Sequence, residues 1–234
     1  MINQPAMANL LALDTATEAC SVALHWNGEI FHHFELCPRE HTQKILPMIE
    51  QILAQAGVSL TQLDAIAFGQ GPGSFTGVRI GVAAAQGLGF GANLPLLGVS
   101  TLAAMAQQAI EQCTHSHVIA AIDARMGEIY HAIYRNEQGI ATLQGSEQVT
   151  APDQLEYQSD LVACAVGTGW QSYPQQLQEH YPKAEQLDIA LPRAYDMLKL
   201  ANVDYQQGRV QDAESAQPVY LRDKVTWKKL PGRE

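Results

Sequence analysis

Two segments of the chain repeat the same succession of apolar runs and polar turns. Leu11–Gly28 reads LALDTATEACSVALHWNG, and Ala120–Gly139 reads AAIDARMGEIYHAIYRNEQG. At an offset of 109 residues, four identities align: Ala12, Asp14, Ala23 and Asn27 with Ala121, Asp123, Ala132 and Asn136. In both segments an apolar strand ends in aspartate, a polar loop follows, and a second strand leads into an Asn-containing turn. The pattern predicts two structurally similar halves.

The first half continues into a three-stranded meander. Asn27-Gly28 predicts a type I′ hairpin, because both central residues of that turn need positive φ, and Glu29–Leu36 supplies the third strand. Two such openings predict a duplicated, two-lobed α/β fold with a cleft between the lobes, and with Asp14 and Asp123 near that cleft. We assign residues 1–8 to an N-terminal extension, 9–108 to lobe I, 109–210 to lobe II, and 211–234 to a C-terminal segment that returns to lobe I.

Two helices flank a glycine-rich loop in the first half. The apolar positions of Thr42–Ala56 cover an arc of about 160°, wider than a single core-facing stripe requires. A short strand, Ala65–Gly69, then runs into the loop Gly71–Gly77 and a second helix, Val78–Gly91. Small residues recur every fourth position of this helix and form a smooth ridge for the close approach of another helix, at Gly81, Ala85 and Gly89. The pattern leaves open whether that other helix belongs to the same chain or to a partner.

The pattern after the second repeat is weaker. It predicts a strand over Leu161–Val166, a turn at Gly167–Gly169, a helix over Tyr195–Gln207, and a closing segment from Pro218–Leu221 to Val225–Trp227.

Charge and composition limit the classes of protein. The 234 residues carry 14 Lys and Arg against 24 Asp and Glu, a net charge of -10, so the chain is a poor sole binder of nucleic acid. From Arg222 to Glu234, however, five basic residues face two acidic ones. This basic end is either a solvated terminus or a contact for a phosphate backbone.

Targeting signals and cysteine spacing indicate a soluble, cytoplasmic protein. The first residues lack a signal-peptide pattern, no apolar run is long enough for a membrane span, and either Met1 or Met7 starts the chain. The four cysteines include no C-x-x-C pair, and we expect reduced, mostly buried thiols at Cys20, Cys37, Cys113 and Cys164.

Polar residues near the expected cleft suggest a nucleotide site. After the first strand, Asp14 can hold hydrated Mg²⁺ while the hydroxyls of Thr15 and Thr17 meet phosphate. Gly73 and Ser74 can present backbone N–H groups to an anion, and Asp123 is the second-half counterpart of Asp14. The alternative is that the Asp-Thr loop merely closes a turn and that the glycines serve a tight strand-to-helix connection. The glycine loop matches neither a Walker A motif nor a dinucleotide fingerprint.

One histidine stands where a metal site would need two. His41 is followed four residues later by Ile45, whereas two histidines at that spacing on one helix face form a metal-binding pair. We therefore predict no metal site at the lone His41.

Six segments together resemble the TsaB (YeaZ) family of bacterial TsaD-like proteins, which serve threonylcarbamoyladenosine modification of tRNA. They are LALDTATEACSVAL, HFELCPREHTQKILPMI, GPGSFTGVRIGVAAAQGL, AAIDARMGEIY, VGTGW and PVYLRDKVTWKK. The resemblance covers nearly the whole chain from Asn9 onward. It implies the actin/Hsp70/sugar-kinase (ASKHA, ribonuclease H-like) fold.

The resemblance also implies a function and partners. The catalytic TsaD relatives carry a His-x-x-x-His metal pair, and Ile45 replaces its second member here, so a non-catalytic subunit is expected. Such a subunit pairs with a TsaD-like transferase through a helical bundle, a TsaE-like ATPase joins, and the complex modifies N6 of adenosine 37 in tRNAs that read ANN codons. The tRNA is then met indirectly, the chain alone forms a homodimer, and no membrane is involved. The expected interface residues are Ile45, Leu46, Ile49, Leu53, Val78, Gly81, Val82, Ala85 and Gly89.

Two other functions remain open at this point. One is an ATP-binding protein or ATPase of the sugar-kinase fold, although this subunit is expected to need no cofactor and to bind ATP with Mg²⁺ at most weakly. The other, more remote, is a metallopeptidase, which would require the missing second histidine.

Overall fold

The computed structural model describes residues 7–222. The strands are β1 Leu10–Asp14, β2 Ala19–Trp26, β3 Glu29–Leu36, β4 Ala65–Gly71, β5 Leu96–Ser100, β6 His117–Arg125, β7 Glu128–Glu137, β8 Ile140–Thr150, β9 Ala163–Val166 and β10 Ala184–Gln186. The α-helices are α1 His41–Ala56, α2 Phe75–Ala92, α3 Thr101–Ile110, α4 Thr168–Ser172, α5 Pro174–His180 and α6 Ala194–Gln206. Two short 3-10 turns lie at Leu60–Gln62 and Pro152–Gln154.

The strands form two five-stranded sheets with equivalent order. The first sheet runs β3-β2-β1-β4-β5 and the second β8-β7-β6-β9-β10. In each, the opening strand pairs antiparallel with the next strand and parallel with the fourth, as β1 does with β2 and β4 and β6 does with β7 and β9. The predicted duplicated, two-lobed α/β fold is confirmed.

The helices and sheets alternate as layers. Helices α1 and α2 cover one face of the first sheet, where Ile49 and Val82 join the core built on Leu13 and Phe68. Helix α6 covers the other face through Met197 and its neighbours. Helix α3 packs on the second sheet, and α4 and α5 close that sheet's far face. The two sheets are therefore joined through α3 and α6.

Local signals set several boundaries. Asn27 and Gly28 have φ of 49° and 90°, so the predicted hairpin turn is confirmed. Helix α1 ends before Gly57, whose left-handed conformation (φ 65°) terminates the helix. Helix α2 begins earlier than predicted, at Phe75, because the Ser74 hydroxyl accepts a hydrogen bond from the Gly77 N–H at 3.3 Å and caps it.

The later elements differ from prediction in detail. The strand predicted over Leu161–Val166 is shorter, as β9, and Gly167 leads directly into α4. Pro218–Leu221, the first part of the predicted closing segment, has no regular secondary structure, and its Val219 N–H donates to Gln70 O at 2.7 Å. The second part of that segment, Val225–Trp227, lies outside the described residues.

The C-terminal segment returns to the first sheet. Gln211 exchanges both backbone hydrogen bonds with Leu96 of β5, at 2.8 and 2.9 Å. Farther on, Ala216 is fully buried beside α2 and accepts a hydrogen bond from the Gln86 side chain. We call residues 211–222 the strap, because they run from the edge of the first sheet to the second lobe, where Arg222 pairs with Glu128.

The prediction of four reduced thiols is wrong for one pair. Cys113 and Cys164 form a disulfide, with their Cα atoms 6.0 Å apart. Pairing of β6 with β9 places Cys164 opposite Val118, next to the connection that carries Cys113, although 51 residues separate the two cysteines. Cys20 and Cys37 are free and buried, and burial raises the pKa of Cys20 to about 12.

Candidate functional site

A cleft of about 890 Å³ lies between the two lobes. Its first wall consists of the loop after β1 and the start of α2, through Thr17, Glu18, Gly73, Ser74, Phe75 and Arg79. Its second wall consists of the end of β6, part of β7 and helix α4, through Asp123, Arg125, Tyr130 and Thr168. Tyr220 and Arg222 of the strap close one side. Four of the six residues predicted to bind a nucleotide line this cleft, namely Thr17, Gly73, Ser74 and Asp123.

The two loops of the first wall are bonded to each other. The Ser74 N–H donates to Ala16 O at 2.7 Å, and the Thr15 hydroxyl donates to Gly77 O at 2.7 Å. A Cβ at Gly73 or Gly77 would overlap the backbone of the opposite loop. The glycines therefore permit a close approach of two loops, and several groups that a phosphate would need are already engaged.

Asp14 and Thr15 lie behind the cleft wall. Both are 1% exposed, and neither lines the cleft. One carboxylate oxygen of Asp14 accepts from the Ala16 N–H at 3.0 Å, and the other has no hydrogen-bond partner among residues 7–222. Burial raises the pKa of Asp14 to about 6, although the bond from Ala16 opposes this shift. The sequence placed Asp14 near the cleft, and tertiary packing buries it one layer deeper.

Asp123 reaches the cleft but is already paired. It accepts hydrogen bonds from the Arg125 backbone N–H at 2.8 Å and from the Arg125 guanidinium at 3.1 Å. Arg125 also reaches Glu18 of the opposite wall at 3.3 Å and so joins the two lobes. This bridge depends on the tight turn after β6, where Arg125 itself has a φ of 62°, and the sequence pattern did not reveal it.

A cationic and aromatic group stands at the mouth of the cleft. The Arg79 guanidinium lies 3.3 Å from the centroid of the Phe75 ring and 5.2 Å from that of Tyr220. Sequence reasoning missed this group. Phe75 and Arg79 are four residues apart on one helix, a spacing that places side chains together, but no local signal connects Tyr220 to them.

His41 is isolated from other metal ligands. It is 7% exposed, and its Nε2 has no hydrogen-bond partner in the described part of the chain. Ile45, one helical turn later, is a core residue at 2% exposure. Among residues 7–222, no group of three or more His, Cys, Asp or Glu side chains is arranged to hold a metal ion.

The expected interface ridge faces inward. Seven of the nine expected interface residues are buried within lobe I, namely Ile45, Ile49, Val78, Gly81, Val82, Ala85 and Gly89. For the α2 residues the reason is that this side of the helix lies on the sheet: a Cβ at Gly81 would stand 2.8 Å from Thr15 Oγ1, and one at Gly89 would stand 2.8 Å from Leu96. Of the remaining two, Leu53 is half-buried, and Leu46 is 47% exposed.

A second row of small residues faces outward on α2. Ala83, Gly87 and Gly91 are exposed at four-residue spacing, and we call them the outer row. A Cβ at Gly87 or Gly91 would meet no atom of the described chain within 4 Å. Phe90 beside them is 76% exposed. The outer row and Phe90 form a helical surface that no other part of residues 7–222 covers.

Within residues 7–222, no helix combines the length and the apolar character that crossing a membrane requires.

Comparison with known proteins identifies close relatives. The family model described as TsaD, tRNA N6-adenosine threonylcarbamoyltransferase, matches residues 33–230. The tRNA threonylcarbamoyladenosine biosynthesis protein TsaB of Escherichia coli K12 is 51% identical over 229 residues, which cover 96% of this chain and 99% of that protein. The TsaB protein of Haemophilus influenzae is also 51% identical, over 96% of this chain and 98% of its own.

Solved structures agree with these relatives. YeaZ from Pseudomonas aeruginosa superimposes with a TM-score of 0.83 at 45% identity, covering 92% of this chain and all of that one. A second structure, described as an uncharacterized protein from Pseudomonas aeruginosa with similarity to the peptidase YEAZ, gives a TM-score of 0.86 at 46% identity with the same coverage.

Proposed function

The chain belongs to the TsaB family of tRNA threonylcarbamoyladenosine biosynthesis proteins, and we propose that it serves this modification as a subunit without a catalytic centre of its own. It acts in the cytoplasm and pairs with a TsaD-like transferase, which a TsaE-like ATPase joins. It requires no cofactor itself. In the absence of the transferase, two copies associate through the surface that otherwise binds the transferase.

The outer row is the observation that carries this proposal. Small residues on a helix let a second helix approach closely, so that backbone and side-chain atoms make many contacts. The exposed Leu46 and Phe90 add apolar area that a helical partner would bury. A transferase that contributes its own helices would fit this surface.

Residues of α1 and of the cleft support a non-catalytic role. Ile45 stands where a second histidine ligand would be, and the Asp14 carboxylate lies buried behind the wall. Asp123 is neutralised by Arg125, and the two loops of the first wall bond to each other. The Asp123–Arg125 pair and the two bonded loops would have to separate before the cleft could hold a phosphate or a metal.

Bulky substitutions in the outer row test the pairing. Gly87→Trp and Ala83→Trp place a large side chain on the exposed face without entering the core, and we expect both to abolish co-purification with the transferase. The same variants should fail to restore modified adenosine in cells that lack the endogenous copy. The control is Gln176→Trp on α5, an exposed helix position in the other lobe, which should behave as wild type.

Two results would contradict the proposal. Wild-type co-purification of Gly87→Trp would remove the outer row from the interface. Metal-dependent transferase activity of the isolated chain would remove the non-catalytic assignment. Calorimetry with Mg-ATP tests the cofactor statement, which fails if the dissociation constant is tighter than about 1 mM.

A further inference from the structure

The mouth of the cleft carries a stacked group that pairing with the transferase does not explain. Phe75, Arg79 and Tyr220, which we call the rim cluster, bring two aromatic rings and one guanidinium together, with the ring centroids 5.8 Å apart. Phe75 is 61% exposed and Tyr220 43% exposed. Large aromatic rings left this open to solvent are typical of binding surfaces.

Three arginines line the cleft, and Arg79 of the rim cluster is the one that has no carboxylate partner within residues 7–222. Arg125 pairs with Asp123 and Glu18, and Arg222 pairs with Glu128. Arg79 forms no ion pair within residues 7–222, and its guanidinium lies beside the rings of Phe75 and Tyr220. Its charge is therefore available to an anionic ligand at the same place where the rings are exposed.

Such a combination matches the chemistry of single-stranded RNA. Unpaired bases stack on aromatic side chains and on arginine planes, and the neighbouring phosphate takes a charge-assisted hydrogen bond from the guanidinium. The sequence adds Lys224, Lys228, Lys229 and Arg233 after Arg222. The locally basic character of this end contrasts with the chain's net charge of -10.

We propose that the rim cluster contacts an unpaired stretch of the tRNA substrate directly, with one base stacked on its rings and a phosphate on Arg79. The proposal rests on the proposed function and changes the expectation that tRNA is met only through the partner. Phe75 and Arg79 lie on α2, at four-residue steps before the outer row. RNA bound there would therefore reach the junction between this subunit and the transferase.

Binding of RNA to the assembled complex tests the proposal. The probe is a fluorescent, unmodified anticodon stem-loop of a tRNA that reads an ANN codon, measured by anisotropy over a range of salt. We expect Tyr220→Leu to weaken binding about tenfold, as expected for the loss of one stacked base. Arg79→Gln should weaken binding because it removes the charge that holds the phosphate. Arg79→Gln should also lower the slope of log affinity against log salt by about 0.7, the value for one phosphate contact on a single strand.

The matched control is Arg135→Gln, which removes the same charge from an exposed position of β7 outside the cleft. It should leave affinity unchanged. Ultraviolet cross-linking of the same probe should attach RNA to the peptide that contains Phe75 or to the one that contains Tyr220.

The outcomes separate this inference from the proposed function. If the rim variants still assemble with the transferase and bind RNA as wild type does, the inference is overturned and the proposed function stands. If they lose the transferase instead, the rim cluster is part of the protein interface, which also overturns the inference. If these substitutions abolish binding of ATP and leave binding of RNA unchanged, the rim cluster binds a free nucleotide and the RNA contact is excluded.

Discussion

At the scale of single residues, burial has a clear electrostatic consequence at Asp14. Its carboxyl is buried, and one oxygen has no partner among residues 7–222, so ionisation is costly and the pKa rises to about 6. The folded chain therefore binds this proton more tightly than the unfolded chain, whose pKa is 3.8. The contribution of Asp14 to stability is fully present below the unfolded pKa and is lost as pH rises through the folded value.

Asp14→Asn tests this pH dependence. The amide oxygen can still accept the Ala16 hydrogen bond, but the residue no longer titrates. The free energy of unfolding of the variant, minus that of wild type, should increase by about 2–3 kcal/mol between pH 4 and pH 7, measured by urea denaturation. Burial lowers the pKa of His131 to about 4, but His131 is present in both proteins, so its opposite effect cancels in the difference. A difference that is flat over this range would show that Asp14 is not shifted.

Two glycines of α2 should respond in opposite directions to alanine. A Cβ at Gly87 meets open space within the described chain, whereas one at Gly77 overlaps Thr15 O. Gly87→Ala should raise the free energy of unfolding by about 0.5–1 kcal/mol, because alanine loses less backbone entropy in a helix. Gly77→Ala should lower it by about 2 kcal/mol, because the two loops must separate. Equal thermal stabilities of these variants would contradict the described orientation of α2.

At the scale of elements, α2 shows how one helix serves two surfaces. Its inward ridge at Gly81 and Gly89 lets the helix lie close on the first sheet, and its outer row remains open. Both rows have small residues every fourth position, so spacing alone cannot distinguish them. The sheet decides which row becomes core.

The disulfide belongs to the same scale, since it joins the connection after α3 to β9. Adding a reductant should lower the free energy of unfolding by about 2–4 kcal/mol, because the reduced unfolded chain gains loop entropy. Cys113→Ala should abolish this response, and Cys20→Ala, which changes a cysteine outside the bridge, should preserve it. Titration of unreduced, denatured protein should find two free thiols, and four would contradict the bond.

At the scale of the whole molecule, contacts distant in sequence hold the lobes together. Arg125 of the second lobe pairs with Glu18 of the first, and Arg222 of the strap pairs with Glu128. The Glu147 carboxylate accepts hydrogen bonds from Ser100, at the end of the first sheet, and from Tyr134 of the second at 2.5 Å. Burial, followed by the charge of Glu147, raises the pKa of Tyr134 well above its usual value, so the phenol stays protonated and keeps donating.

The strap can be tested by a neighbouring pair of substitutions. Ala216 is fully buried in the core between the first sheet and helices α1 and α2, whereas Gln217 is exposed. Ala216→Asp should lower the free energy of unfolding by about 3 kcal/mol, because it places an unpaired carboxylate in an apolar site, and Gln217→Asp should change it by less than about 0.5 kcal/mol. Equal chemical denaturation midpoints for the two variants would show that the strap does not contribute to the core.

Particular residues show how far sequence reasoning reached. The hairpin at Asn27-Gly28, the bounds of Glu29–Leu36 and the duplicated order of strands were predictable, because each depends on neighbours within a few positions. The six quoted segments also indicated the family. The burial of Asp14, the bridge from Arg125 to Glu18 and the disulfide were not predictable, because each depends on segments far apart along the chain.

The sequence by itself determined the two-lobed α/β fold, the family and the loss of a second histidine at Ile45. Those properties depend on local periodicity and on residue identity, which do not change when the chain folds. Only the tertiary structure decided which face of α2 is open, that Asp14 lies behind the cleft and that Tyr220 joins Phe75 and Arg79 at its mouth. The physical reason is that burial and stacking depend on which surfaces meet, and packing of the sheets, helices and strap brings those surfaces together from distant parts of the chain.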